Sequence, residues 1–383
     1  MNNSRYNTLD SSLNPIQYSS TRLPLESAST LPPHCYTSEV FFAREKETIF
    51  DQCWHFVGRR SEFNTPGAYK SIDTIAGSAL VICSESGSPK AYINSCSHRG
   101  TRLKNHGGHC RQIICPYHSW VFDLDGHLKR AHGMQGVKNF DKDNYNLTPV
   151  RLEEYGGFVF INFSSGAICL ETWIGDLPRQ MASHTPEKLQ KVQWNASFRV
   201  NANWKFLIEN ALEAYHTGTV HKESLGSQDS EAIQSQGNWD ALFVPNEGDK
   251  SIGTLPGETQ QMPFLPNLSS RGRTGTWFTV VYPCTQIVFS QDCVWWLDIK
   301  PLSVSQSQVE MSALFPKDAI SHPDFTQHVQ AYYDRWETAT KEDNVIAEAQ
   351  QNGNSAGSDR AGRYSLREHC VHKLNNWVLE QVF

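Results

Sequence analysis

The chain has 383 residues, 39% of them hydrophobic and 11% aromatic, enough to bury two cores or one large core with an inserted module, so two domains are expected. Its 34 basic and 40 acidic residues are mixed along the length for a net charge of -6, which leaves no basic footprint for nucleic acid. No apolar run approaches the roughly 20 residues needed to cross a bilayer, no secretory pattern opens the chain, and ten cysteines at irregular spacing exclude a disulfide scaffold; a soluble, cytoplasmic protein with reduced thiols, a few of them ligands, is expected.

Residues 1 to about 32 are rich in Ser, Asn, Thr and Pro without an apolar period and read as a mobile arm or an extended wrap that carries little core. From Thr37, TSEVFFAREKETIFDQCWHFV places apolar residues at helical spacing, with Ser38 as N-cap and Glu39 in the first turn, predicting one amphipathic helix. Residues 57–165 then change to short β-type runs, ALVICS, KAYINS, QIICPY, SWVFDL and GFVFINF, separated by Gly, Pro, Asn and Asp. Helical spacing returns between Asn195 and His221 in WKFLIENALEAYH. After Trp277 come the longer strands WFTVVYP, TQIVFSQ, VWWLDIKP and VEMSALFP, then helices from about Pro323 to Asn352 and at the C-terminus, with NGNSAGSD at 352–359 as a loop. Strands followed by helices predict an α+β second domain rather than a doubly wound sheet. The stretch 224–275 has no readable signature and is where substrate specificity is expected to reside.

Within the β module, Cys96 and His98 form C-x-H, and Cys115 and His118 form C-x2-H. Two thiolates on one iron and two imidazoles on the other make a Rieske [2Fe-2S] centre, and each mixed pair would give one ligand to each iron from loops at the tips of neighbouring hairpins. A Cys2His2 zinc site is the competing reading, but its cysteines usually pair with each other and its histidines likewise. His106, His109 and Cys110 lie between the two pairs and read as ordinary loop residues, the cysteine as a small hydrophobe. Pro116 and Tyr117 restrict and shield the second loop.

An electron carrier would need no more than this, yet the chain continues through ENALEAYHTGTVH at 209–221. His216 and His221 are five apart, too wide for one clean helical face, which predicts a distorted turn or a helix end. Two histidines and one carboxylate, with open positions opposite, form the facial arrangement of non-haem Fe(II) oxygenases. The carboxylate must come from downstream, and KEDNVIAEAQQNG at 341–353 offers Glu342, Asp343 and Glu348.

CSHRG at 96–100 and CPYHSW at 115–120 resemble the two signature loops of Rieske oxygenase catalytic subunits, and NWKFLIENALEAYHTGTVH from Asn203 to His221 resembles the iron-site helix of that family. The resemblance spans residues 35 to the C-terminus. It implies an all-β Rieske [2Fe-2S] domain plus a helix-grip-like catalytic domain whose large antiparallel sheet is flanked by helices. The expected division is an arm at 1–36, an N-terminal helix of the catalytic domain at 37–56, the Rieske domain at 57–165 and the mononuclear iron domain at 166–383. It selects Asp343 as third iron ligand, with Glu342 as runner-up, through the family's E-D-x6-Q pattern.

Glu213, expected on the same helical face as His216, stands where the family usually has an aspartate that links an iron-site histidine to a cluster histidine of the neighbouring subunit. Glutamate there, with the EN-x2-E spacing and GRYS-x2-E-x2-V at 362–371, resembles the subgroup acting on choline, carnitine and betaines. The implied activity is hydroxylation or N-demethylation of a small quaternary ammonium or N-methyl substrate by O2. Electrons would come from NAD(P)H through a separate flavin or ferredoxin-type reductase, since this chain has neither a dinucleotide fingerprint nor a plant-type ferredoxin motif. A homotrimer is implied as well. An aromatic-ring dioxygenase and a pure Rieske electron carrier are the alternatives. A quaternary ammonium group suits an aromatic box, for which Trp277, Phe278, Tyr282, Phe289, Trp295 and Trp296 are available, and Tyr215 either faces the iron pocket or packs the helix.

Overall fold

The computed structural model describes residues 11–246, 250–258 and 261–383. The first ten residues of the expected arm, and residues 247–249 and 259–260 of the expected specificity stretch, lie outside the described residues. The chain divides into two compact units: Asp51–Trp173, and the N-terminal segment ending at Phe50 joined to Ile174–Phe383. Among the described residues no helix is long and apolar enough to cross a membrane.

In the unit Asp51–Trp173, strands His55–Arg59, Phe158–Asn162, Pro149–Tyr155, Pro89–Ile93, Ser78–Cys83, Ala68–Asp73 and Gly108–His109 lie side by side in that order. The paired strands are antiparallel. A second sheet holds Ile113–Ile114, Val121–Phe122 and Leu128–Arg130. The run Ser78–Cys83 shows why its sequence does not alternate. Ala79, Val81 and Cys83 enter one core with Val57, Val159 and Ile161. Leu80 and Ile82 enter another with Cys96, Cys115 and Trp120, so both faces of the strand are buried. The unit reaches beyond 57–165 because the pairing of His55 with Ile161 starts it early and the Trp54 indole donates to the Ile168 carbonyl at 3.1 Å.

The other unit is built on an eight-stranded antiparallel sheet. Its main path runs Gln190–Lys191, Gln306–Phe315, Val294–Ser303, Thr285–Phe289, Gly275–Val281, Trp239–Pro245 and Glu231–Ile233; Ala196–Val200 also pairs with Gln306–Phe315. Helices Trp204–Ala211, Phe325–Asn354 and His369–Val382 accompany it. An aromatic cluster joins the long helix to the sheet: Trp336 lies 5.0 Å from Trp295, and Tyr332 5.3 Å from Phe315, between ring centroids.

Three expectations need correction. Residues 11–32 carry real core: Tyr18, Ala28 and Leu31 are buried, and Tyr18 packs 5.2 Å from the Phe383 ring. The low apolar density hid this, because a few well-placed residues seat the segment against the C-terminal helix. The helix predicted from Thr37 is α-helical only over Glu39–Glu45, capped by the Ser38 hydroxyl accepting from the Phe41 amide. It widens to a π-turn at Lys46–Phe50 and stops, since the residues beyond pair as strand. The long helix continues to Asn354, so the start of NGNSAGSD is helical, its backbone following the preceding turns despite Gly353.

Candidate functional site

The first cluster loop follows strand Pro89–Ile93, and the second is the tip of the hairpin between Ile113–Ile114 and Val121–Phe122. Only the second is a hairpin tip; the first joins strands of the larger sheet that are not neighbours. Each loop closes on its own cysteine: the Cys96 amide donates to the Thr101 carbonyl at 2.8 Å and the Cys115 amide to the Trp120 carbonyl at 2.9 Å. Gly100 at φ 73° and Ser119 at φ 56° complete these turns, left-handed positions that glycine takes freely and serine only under constraint.

Both thiols are buried, while His98 and His118 lie nearer the surface with ring centroids 4.8 Å apart. The imidazole of His98 stacks on Trp120 at 4.6 Å. The Nδ1 atoms of both histidines are enclosed yet have no hydrogen-bond partner, which is the state of a donor waiting for a metal. Burial pushes the Cys96 thiol up to about 11, so a thiolate there needs a cation beside it. Thiol pairs with thiol and imidazole with imidazole, a division that suits two irons. Among the described residues, the only group whose donor atoms all lie within 4.8 Å of one another, as a single ion requires, is elsewhere. His106 and His109 are exposed, and the Cys110 amide donates to the Gly67 carbonyl at 2.9 Å.

That single-ion group is His216, His221 and Asp343. Asn203 caps the helix Trp204–Ala211 by accepting from the Lys205 amide at 3.0 Å. The helix ends at Leu212, because the Glu213 carboxylate draws the amides of Tyr215 and His216 away from the helical ladder. A second short helix, Thr217–Val220, sets His216 and His221 at its two ends. The five-residue spacing is therefore bridged by a break, and Glu213 is not on a shared helical face with His216 but in the turn.

The same carboxylate hydrogen-bonds His216 Nδ1. Glu342 does the equivalent for His221 Nδ1 at 2.7 Å, itself held by the Ser224 hydroxyl at 2.7 Å. With both Nδ1 atoms engaged, the Nε2 atoms turn to Asp343: His221 Nε2 is 3.2 Å and His216 Nε2 3.5 Å from its Oδ1. Asn210 Nδ2 donates to that oxygen at 3.2 Å. Burial disfavours a charged His221, but Asp343 and then Glu342 outweigh it and hold the imidazole above its ordinary range. Three carboxylates around two imidazoles give a site whose charge suits a divalent cation.

The group opens on a cavity of about 100 Å³, small beside the roughly 300–1,000 Å³ of drug-sized sites. Of the six aromatics considered in the sequence, Phe278 and Trp295 line it; Trp336 and Arg335 were not foreseen. Trp277 instead packs on Phe243 at 4.7 Å and His184 at 5.2 Å, Phe289 on His184, and Tyr282 bonds Asp240. Tyr215 neither faces the cavity nor packs the helix: it is 57% exposed with the Arg367 guanidinium 5.7 Å over its ring. Helical spacing could have found Trp336 and Arg335, which lie seven and eight residues before Asp343 on the same helix.

Residues 53–141 match the Rieske [2Fe-2S] domain, and residues 179–382 match the ring hydroxylating alpha subunit catalytic domain. The chain belongs to this family of Rieske oxygenase catalytic subunits. Within it, the chain is 36% identical to the carnitine monooxygenase oxygenase subunit of Escherichia coli over 222 residues, covering 56% of this chain and 58% of that protein. It is 27% identical to the glycine betaine monooxygenase oxygenase subunit of Pseudomonas aeruginosa, over 92% of this chain and 89% of that one. The crystal structure of the quaternary ammonium Rieske monooxygenase CntA with L-carnitine superimposes with a TM-score of 0.77 at 25% identity, covering 93% and 96% of the two chains.

Proposed function

We propose that this chain is the oxygenase component of a Rieske monooxygenase that hydroxylates or N-demethylates a small quaternary ammonium compound. The observation that carries the reading is the His216, His221 and Asp343 group opening on a small cavity walled by Phe278, Trp295 and Trp336. The names of the relatives supply the substrate class. The second unit, with its own candidate metal group, disfavours a pure electron carrier.

In this reading Cys96, His98, Cys115 and His118 hold the [2Fe-2S] cluster, and His216, His221 and Asp343 hold Fe(II). When bound, the cluster supplies single electrons and the mononuclear iron activates dioxygen. The chain's own contribution is position and dryness. Glu213 and Glu342 keep a proton on each Nδ1, which fixes the tautomer and directs each Nε2 lone pair inward. His216, His221 and Asp343 would hold the ion at the wall of the cavity, which would receive the substrate. The aromatic walls Phe278, Trp295 and Trp336 would exclude water from the cavity. Hydroxylation of an N-methyl carbon with one O2, two electrons and two protons gives water and a carbinolamine, which loses formaldehyde. Electrons come from NAD(P)H through a separate flavin or ferredoxin-type reductase, the working form is a homotrimer in which Glu213 links an iron-site histidine to a partner's cluster, and the location is the cytoplasm.

The deciding experiment is anaerobic iron and sulfide analysis with EPR on the reduced protein, then a product screen with carnitine, betaines, choline and N-methyl amino acids under a surrogate reductase. About three irons and two sulfides per chain with a Rieske signal, and formaldehyde or aldehyde from one ammonium compound, are expected. Two irons alone would leave a carrier; turnover of aromatic rings only would overturn the substrate class. For the supporting shell, Glu342→Gln is expected to weaken Fe(II) retention about 10- to 100-fold, measured by dialysis against a chelator. Retention equal to the parent would show that the Glu342 contact does not orient His221.

A further inference from the structure

Arg335 is 4% exposed and its side chain lines the cavity that holds the metal group. Its Nε–H is fully enclosed without a hydrogen-bond partner, and no ion pair or hydrogen bond reaches the guanidinium among the described residues. Its neighbours are the faces of Trp295 at 5.7 Å and Phe278 at 6.0 Å. Burial lowers its pKa to about 10, partly offset by Asp343 and Cys293, so it remains charged at neutral pH. An unpaired buried cation is expensive to keep. The ring faces stabilise the charge in part but supply no acceptor for its N–H groups.

Arg335 and Asp343 stand eight residues apart on one face of the helix Phe325–Asn354, about 12 Å along its axis at 1.5 Å per residue. The cavity lining thus carries one arginine together with the carboxylates of Asp343 and Glu213 beside the histidines. We propose that Arg335 binds the carboxylate of a zwitterionic substrate, orienting its ammonium end toward His216, His221 and Asp343. The preferred substrates are then quaternary ammonium carboxylates rather than amino alcohols. A guanidinium presents two parallel N–H donors to a carboxylate, while a neutral alcohol would leave the cation unpaired. This rests on the oxygenase reading above for which end is oxidised, but not for the anion preference.

The test is calorimetric binding to the anaerobic, reduced holoenzyme, comparing trimethylammonium carboxylates having one- to three-carbon spacers with their primary amides, which differ in charge but hardly in shape. The parent protein is expected to bind an acid at least about 10-fold more tightly than its amide, the scale of one charge-assisted pair. Arg335→Gln should collapse that ratio toward one by weakening the acid, with Arg335→Lys between them, and iron content and the Rieske EPR signal unchanged. Equal binding of acid and amide by the parent overturns the proposal whether or not the variants fold; so does a ratio that survives in Arg335→Gln, or no binding of any carboxylate. Choline bound and oxidised as well as the acids would sink this inference and leave the ammonium oxygenase reading intact. Arginine-dependent binding of carboxylates that lack an ammonium group, with no ammonium compound bound, would do the reverse.

Discussion

Asp343→Ala is expected to remove the mononuclear iron and lower turnover by more than about 100-fold, the upper end of what losing an outer-shell partner costs, while the Rieske EPR signal stays. The reason is geometric. Among the described residues, Asp343 is the only acid whose carboxylate meets both Nε2 atoms, at 3.2 and 3.5 Å, whereas Glu342 is turned to the back of His221. Without Asp343, two imidazoles remain, too few to keep Fe(II) against chelators. Iron analysis should fall from about three to about two per chain, with the cluster's two irons retained. A variant that keeps its third iron would move the ligand role to another carboxylate, and Glu342→Ala would then be the informative companion. Asn210, which donates to Asp343, should have a smaller effect, because it orients the ligand without replacing it.

Lys205→Met is expected to destabilise the fold by about 3–5 kcal/mol, the cost of leaving one member of a buried ion pair alone. Lys205 Nζ lies 2.7 Å from Glu45 Oε1, and both side chains are 0% exposed. The Trp204 indole donates to the other Glu45 oxygen at 3.3 Å, and the ammonium lies 5.1–5.6 Å from the rings of Trp204, Tyr36 and Phe41. This pair ties the segment Glu39–Phe50 to the helix that leads into His216. Denaturant unfolding should show the loss as a lower midpoint at similar slope. The double variant Lys205→Met with Glu45→Leu should recover most of it, since matched apolar residues often replace a buried pair at little cost. If the single variant unfolds like the parent, the pair does not hold these elements together.

The same contact explains part of the motif that signalled the site. In NWKFLIEN, Asn203 caps the helix, Lys205 pairs with Glu45, and Glu209 accepts from the Tyr36 hydroxyl at 2.7 Å. These residues aim the helix, and among the described residues none of the three is hydrogen-bonded to His216, His221 or Asp343. Burial, eased by Tyr36 and Lys205, raises Glu209 to about 7. Before the break at Leu212 these three residues pack the helix while Asn210 reaches Asp343; Glu213, His216 and His221 follow the break.

What the sequence determined by itself was chemistry carried at short range. The mixed order of Cys96, His98, Cys115 and His118, the strand runs from Trp277 onward and the expected distortion between His216 and His221 are all readable within windows of a few residues, where backbone geometry limits what the chain can do. Tertiary structure decided whatever depended on distant partners. It placed the Glu342 carboxylate on His221 Nδ1 across 121 residues, moved Glu213 off the helix into the turn, and buried Tyr18, Ala28 and Leu31 ahead of the first α-helix. It also brought Phe278 and Trp295, of six similar aromatics, to the cavity wall, with the buried Arg335 beside them. Periodicity gives a side chain a face but not the neighbour opposite, and it is the neighbour that makes an acid a ligand, an orienting group or a surface charge.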